Sequence, residues 1–205
     1  MARRVVCISR ARGALGEQVG REVAQRLGSR YVDEEIVASA AQKEDVDPEI
    51  VADAERRKGL LERILSGLAA SGSDMYVSPV PPEVVMSERY RELIRDAIQQ
   101  TAGQGDVVIV AHAASYALTG RDDVLRVLVT GSDDVRAKRL AEEEGVDADE
   151  GEKIRKRSDG NRADYLQRFY EVSEELPTHY DVVVNTDRLT PEQAATVIVE
   201  AARAG

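Results

Sequence analysis

The run Ala11-Arg12-Gly13-Ala14-Leu15-Gly16-Glu17-Gln18 joins an apolar stretch, Val5-Val6-Cys7-Ile8, to a helical pattern that begins near residue 16. A strand that feeds a glycine turn and then a helix points backbone N–H groups at one spot, where the positive end of the helix dipole reinforces them. Such a spot binds anions, phosphate above all, and glycines let the backbone approach the oxygens closely. The run departs from the motif G-x-x-x-x-G-K-[S/T], which sets a lysine and a hydroxyl after its last glycine. Here Ala11 takes the first glycine's place, and Glu17 and Gln18 follow Gly16. The chemistry expected of Gly13, Ala14, Leu15, Gly16, Glu17 and Gln18 is therefore anion holding by amides, with Arg10 or Arg12 supplying the charge of the absent lysine. Glu17 works against it, because a carboxylate about 4 Å from a phosphate charge costs on the order of 4 kcal/mol at an effective dielectric of about 20. It has to point away from the anion or meet a cation.

Three more arginines, Arg155, Arg157 and Arg162, are spaced two and five residues apart. On one helix that spacing cannot place all three on a single face, and it predicts a mobile turn around Asp159-Gly160 that carries arginines toward a bound anion. Guanidinium groups suit that task because they grip phosphate oxygens in a planar, bidentate way. His112 follows the apolar run Val107-Val108-Ile109-Val110, at the strand end where open α/β sheets bind ligands. Asp33 either caps a helix starting at Glu34 or offers a carboxylate to a ligand. Tyr165, Phe169 and Tyr170 fall at helical spacing and read as packing, His179 reads as a surface residue, and Cys7 as a small buried hydrophobe. Asn185 and Thr186 fit a turn as well as a ligand contact.

Positioning these groups requires strands alternating with helices. Short β-branched runs at Val5–Ile8, Val107–Val110, Leu125–Val129 and Asp181–Val184, with a shorter piece around Tyr31, suit strands buried on both faces. Helical stretches at 16–28, 83–102, 132–145 and 191–203 separate them. The pattern predicts an α/β, three-layer, doubly wound parallel sheet of five strands with right-handed crossovers. Residues 34–72 read as helical with a break near Val46-Asp47-Pro48, and Ser71-Gly72-Ser73-Asp74 with Pro79, Pro81 and Pro82 as a loop.

The 205 residues suit one such domain. A net charge of −10 argues against a partner held through nucleic-acid phosphates, since such binders gather Lys and Arg on one face. A single cysteine excludes an intramolecular disulfide. No apolar run approaches the roughly 18 residues of a membrane span, so no membrane partner is expected and a cytoplasmic location is the default. Composition leaves a homo-oligomer open.

Taken together, these segments resemble the cytidylate-kinase-like family of nucleoside monophosphate kinases. The likeness rests on Ser9-Arg10 ahead of the glycine loop with Gly13, Gly16 and Gly20, and on Tyr31-Val32-Asp33 at the second strand. It continues in Asp134-Val135-Arg136-Ala137-Lys138-Arg139-Leu140, in the arginine-bearing stretch Ile154 to Ala163, and in Tyr180-Asp181-Val182-Val183-Val184-Asn185-Thr186-Asp187. The resemblance implies a single domain over 1–205, with an acceptor-binding helical insertion at 34–104 and a lid at 150–175. It implies Arg157 and Arg162 as phosphate or transition-state contacts, Arg139 as a phosphate or structural partner, and Asp33 and His112 near the acceptor. The implied activity is transfer of the γ-phosphoryl group of Mg²⁺-bound ATP, or another nucleotide, to a CMP-like nucleoside monophosphate or related small acceptor. The alternative is a catalytically impaired nucleotide-binding or regulatory module on the same fold, or, if the arginines fail to converge, an interaction scaffold. Where the family has Gly-Arg-Gly or Gly-Arg-Asp after the third strand, this chain reads Ala111-His112-Ala113, and the family's cytosine-contacting carboxylate has no counterpart.

Overall fold

The computed structural model of the chain describes residues 4–33, 95–111 and 114–204. The expectations for residues 34–72, for the loop after them and for His112 lie outside the described residues.

The β-branched runs form five parallel strands: β1 (Val5–Arg10), β2 (Arg30–Asp33), β3 (Val107–Val110), β4 (Val124–Thr130) and β5 (Val182–Asn185), in the order β2-β3-β1-β4-β5. β1 lies in register with β3 from Val5 opposite Val107 to Ile8 opposite Val110, and with β4 from Val5 opposite Val124 to Arg10 opposite Val129. Parallel strands buried on both faces need apolar residues at successive positions, and β1 and β3 supply them without interruption. From β1 the chain first builds one side of the sheet and then, from β4, the other. The switch point therefore lies at the carboxyl end of β1, where ligands of such sheets bind.

The α-helices among the described residues are α1 (Gly16–Leu27), α2 over residues 95–103, α3 (Ala114–Ala117), α4 (Asp133–Glu144), α5 (Ala148–Tyr170) and α6 (Pro191–Ala204). On one face of the sheet Val6, Ile8, Val108, Val110, Leu125 and Val127 pack against Val19 and Val23 of α1 and Ile198 and Val199 of α6. On the other, Val5, Cys7, Val107, Ile109 and Val124 meet Ala97, Ile98, Ala114 and Leu118. Cys7 is fully buried, which pushes its thiol well above the ordinary range and suits its reading as a core hydrophobe. Gly20 lets α1 lie close on the sheet, since a Cβ there would stand 2.4 Å from Val110 Cγ2.

One expectation is overturned. The chain does not turn at Asp159-Gly160; α5 runs through both as one helix of 23 residues. A glycine inside a helix costs about 1 kcal/mol relative to alanine, and side chains hold the turns that precede it. Asp147 caps the start by accepting from the Glu150 N–H at 2.9 Å. Arg155 pairs with Glu152 one turn back at 2.7 Å and with Asp159 one turn on at 2.7 Å.

Candidate active site

The segment between β1 and α1 carries two residues in the left-handed region, Gly13 at φ 79° and Leu15 at φ 62°. Two of its amides have backbone partners. Ala11 N–H donates to the Val129 carbonyl at 3.1 Å, and Ala14 N–H closes a turn on the Ala11 carbonyl at 3.0 Å. The first N–H of the α1 region with a backbone acceptor is that of Val19, bonded to the Leu15 carbonyl at 3.0 Å, and no side chain caps the helix. Among the described residues the amides of Gly13, Leu15, Gly16, Glu17 and Gln18 thus meet no backbone carbonyl, the arrangement that receives an anion.

The carbonyls of the same loop are all but fully committed, several of them to other elements. Arg162 of α5 donates to the Arg10 carbonyl at 3.2 Å. From α4, Arg136 Nε donates to the Arg12 carbonyl at 2.8 Å and Arg139 Nη1 to the Gly13 carbonyl at 3.2 Å. Thr186, after β5, gives its hydroxyl to the Ala14 carbonyl at 3.0 Å while receiving Arg139 at 3.0 Å. A carbonyl and the next residue's N–H lie on opposite sides of one planar peptide. Fixing carbonyls outward therefore aims amides inward.

Each residue expected at the site has a definite place. Arg10 lies across the loop and its Nε bonds Glu17, so the carboxylate that opposed an anion meets a cation. A Cβ at position 16 would stand 2.5 Å from the Arg10 Cβ, so glycine is what lets that side chain cross. Arg12, the other stand-in for the lysine, reaches Glu144 at 2.6 Å. Arg162 is buried, 7% exposed, and clasped by Glu175 at 2.8 and 2.5 Å. Burial alone would raise the Glu175 carboxyl, but the Arg162 hydrogen bond and charge hold it below the usual range. Arg155 faces inward as well, against Asp159, Glu152 and Asp133. Arg157 points outward, exposed and unpaired among the described residues. Asp33 ends β2 opposite Val110, at the same carboxyl edge of the sheet as the loop.

Sequence reasoning missed Arg136 and Glu175. Arg136 stood in the quoted α4 stretch, beside Arg139, but nothing in its spacing marked it as the loop's partner. Glu175 lies 13 residues from Arg162, past the end of α5, beyond the reach of any helical periodicity. A polar cluster adjoins them: Ser9 and Ser115 share a buried 2.7 Å hydrogen bond, Tyr180 donates to Glu175, and Tyr116 Oη lies 3.0 Å from His179 Nδ1. Tyr165, Phe169, Tyr170 and Tyr116 pack ring against ring.

The same fold recurs in proteins of known structure. Among solved structures, an uncharacterized protein from Eubacterium ventriosum superposes with a TM-score of 0.69 over 97% of both chains at 16% identity. A shikimate kinase from Bacteroides thetaiotaomicron does so at 0.52 over 96% of this chain and 97% of that one, also at 16% identity. These likenesses are of fold. A profile of the cytidylate kinase-like family matches residues 5–188, and the chain belongs to that family. A cytidylate kinase of Pyrococcus horikoshii is 34% identical over 109 residues, 53% of this chain and 55% of that protein. The chain spans about half the length of the curated relatives it matches. No helix among the described residues is long and apolar enough to cross a membrane.

Proposed function

We propose that the chain is a nucleotide-dependent kinase that passes a γ-phosphoryl group from ATP or another nucleotide to a nucleoside monophosphate or related small acceptor. The observation that carries this reading is the loop at the end of β1, where outward-tied carbonyls leave five successive or near-successive amides, from Gly13 to Gln18, without a backbone partner. Phosphoryl transfer asks the protein for placement and charge stabilisation rather than covalent chemistry, and amides of this kind supply both. Arg10 is the cation at the loop in place of the lysine, and Arg139 adds charge behind Gly13. Arg157, exposed on α5, is the arginine assigned to the transferred group. Asp33 and His112 stand as acceptor contacts.

Among the described residues no three His, Cys, Asp or Glu side chains gather to hold a metal by themselves. Magnesium carried in on a nucleotide takes one or two protein carboxylates and otherwise phosphate oxygens and water. Asp33 is the carboxylate at this edge of the sheet suited to it. When bound, the ion would offset negative charge on the phosphates.

The runner-up, a nucleotide-binding module without turnover, draws on one observation: Arg10 is partly neutralised by Glu17. Titration calorimetry with Mg·ATP, followed by a coupled ADP-release assay over a panel of nucleoside monophosphates, separates the two. Acceptor-dependent ADP release establishes the kinase and its acceptor. Binding without release establishes the module, and absence of binding removes both.

A further inference from the structure

The α4 residue Arg136 has no part in the reading above, yet it is among the most deeply placed charges of the molecule at 5% exposed. Its contacts run in two directions. Nε donates to the Arg12 carbonyl at 2.8 Å. Nη1 and Nη2 form a fork on the Asp159 carboxylate of α5, with Nη1 at 3.1 Å, and Asp133 stands 3.7 Å from Nη1. Asp159 in turn holds Arg155 at 2.7 Å. The backbone beside Arg136 presses on the same part of the loop, since a Cβ at Gly13 would lie 2.8 Å from the Arg136 carbonyl oxygen.

We propose that Arg136 is a positioning residue for the phosphate loop: held in one orientation by Asp159, it fixes the Arg12 carbonyl and thereby aims the Gly13 N–H at the bound phosphate. The peptide between Arg12 and Gly13 is a rigid plane, and Gly13 at φ 79° carries no side chain to resist a flip of that plane. An outside group has to hold it. The fork on Asp159 leaves the guanidinium no freedom to rotate away, which is the geometric advantage of arginine over a point charge. Asp159 also ties α5 to α4, because the carboxylate that pins Arg136 is the one that pairs with Arg155 within α5.

The inference rests on the loop being the phosphate site, and its test separates the two. Calorimetry with Mg·ATP is run on the wild type, Arg136→Gln, Arg136→Lys and Leu118→Ala, with thermal unfolding of each. Leu118 is buried in the opposite layer, so its truncation reports on stability lost without disturbance of the loop. The expected result is a loss of about tenfold or more in Mg·ATP affinity for Arg136→Gln, the scale of a misplaced contact group. Arg136→Lys, whose single ammonium cannot donate to the Arg12 carbonyl and also keep the fork on Asp159, recovers only part of it. Leu118→Ala melts earlier and binds as the wild type does. Unchanged affinity in Arg136→Gln overturns the positioning role while leaving the loop's function intact. An equal loss of affinity in Leu118→Ala overturns it too, since the effect then follows stability. Absence of binding by the wild type overturns the phosphate reading, and this inference with it.

Discussion

The two faces of α5 carry the same residue type in opposite circumstances. On the inner face Arg155 and Arg162, two turns apart, are buried and spend their donors on carboxylates and, for Arg162, on the Arg10 carbonyl. On the outer face Arg157 is exposed and has no ion pair among the described residues. The difference teaches that an arginine count does not measure readiness for a ligand. A guanidinium that is already desolvated and neutralised holds structure, and to reach a phosphate it would first have to abandon a buried carboxylate. The exposed one pays no such penalty.

Arg162→Ala should break this contrast most severely. Removing one partner of a buried pair strands Glu175 and costs about 3–5 kcal/mol, read as a lower urea midpoint; unfolding that coincides with the wild type would mean the pair is not structural. Arg157→Ala sharpens the contrast from the other side. Its stability should stay within about 0.5 kcal/mol of the wild type, while ADP release falls roughly 10²-fold; an unchanged rate would remove Arg157 from the site.

The inner pair also sets an acid dependence. Because the folded carboxyl of Glu175 is held below its unfolded value of about 4.3, its contribution is fully present above that pH and is lost as pH falls through the lower folded value. Glu175→Gln should therefore be less stable than the wild type in urea at neutral pH, with the gap narrowing as unfolding is repeated between about pH 4 and pH 3. A gap of constant size would show that the charge on Glu175 is not what matters.

The smallest effect is expected at the loop mouth. Glu17→Gln leaves Arg10 charged and removes the opposing carboxylate. Mg·ATP should bind about fivefold more tightly, the effect of roughly 1 kcal/mol between charges about 4 Å apart in water, and weaker binding in calorimetry would mean that Glu17 itself helps hold the ligand.

Much of this architecture could be read in advance because its signals are local. Val107-Val108-Ile109-Val110 can hardly be anything but a doubly buried strand, and Pro191 with Thr190 before it marks a helix start, where Thr190 Oγ1 accepts from the Gln193 N–H at 3.3 Å. Gly13 and Gly16 announced the loop. The turn predicted at Asp159-Gly160 failed for a reason sequence spacing hides: Asp159 is engaged by Arg136, 23 residues earlier on another helix, as well as by Arg155. Arg157 and Arg162 looked equivalent for the same cause, because the carboxylate that claims Arg162 comes from the segment after α5.

What the sequence by itself determined is thus the strand-loop-helix unit, the alternation that makes a parallel sheet, and the family to which these point, since each depends on residues adjacent in the chain or on their period. What only the tertiary structure decided is which charges are spent and which remain available. Arg10 meets Glu17, Arg12 meets Glu144, Arg162 meets Glu175, and the loop carbonyls are parted among α4, α5 and Thr186. Over distances of a few ångströms a guanidinium is claimed by whichever carboxylate or carbonyl the fold brings to it, and that neighbour is set by packing between elements rather than by order along the chain.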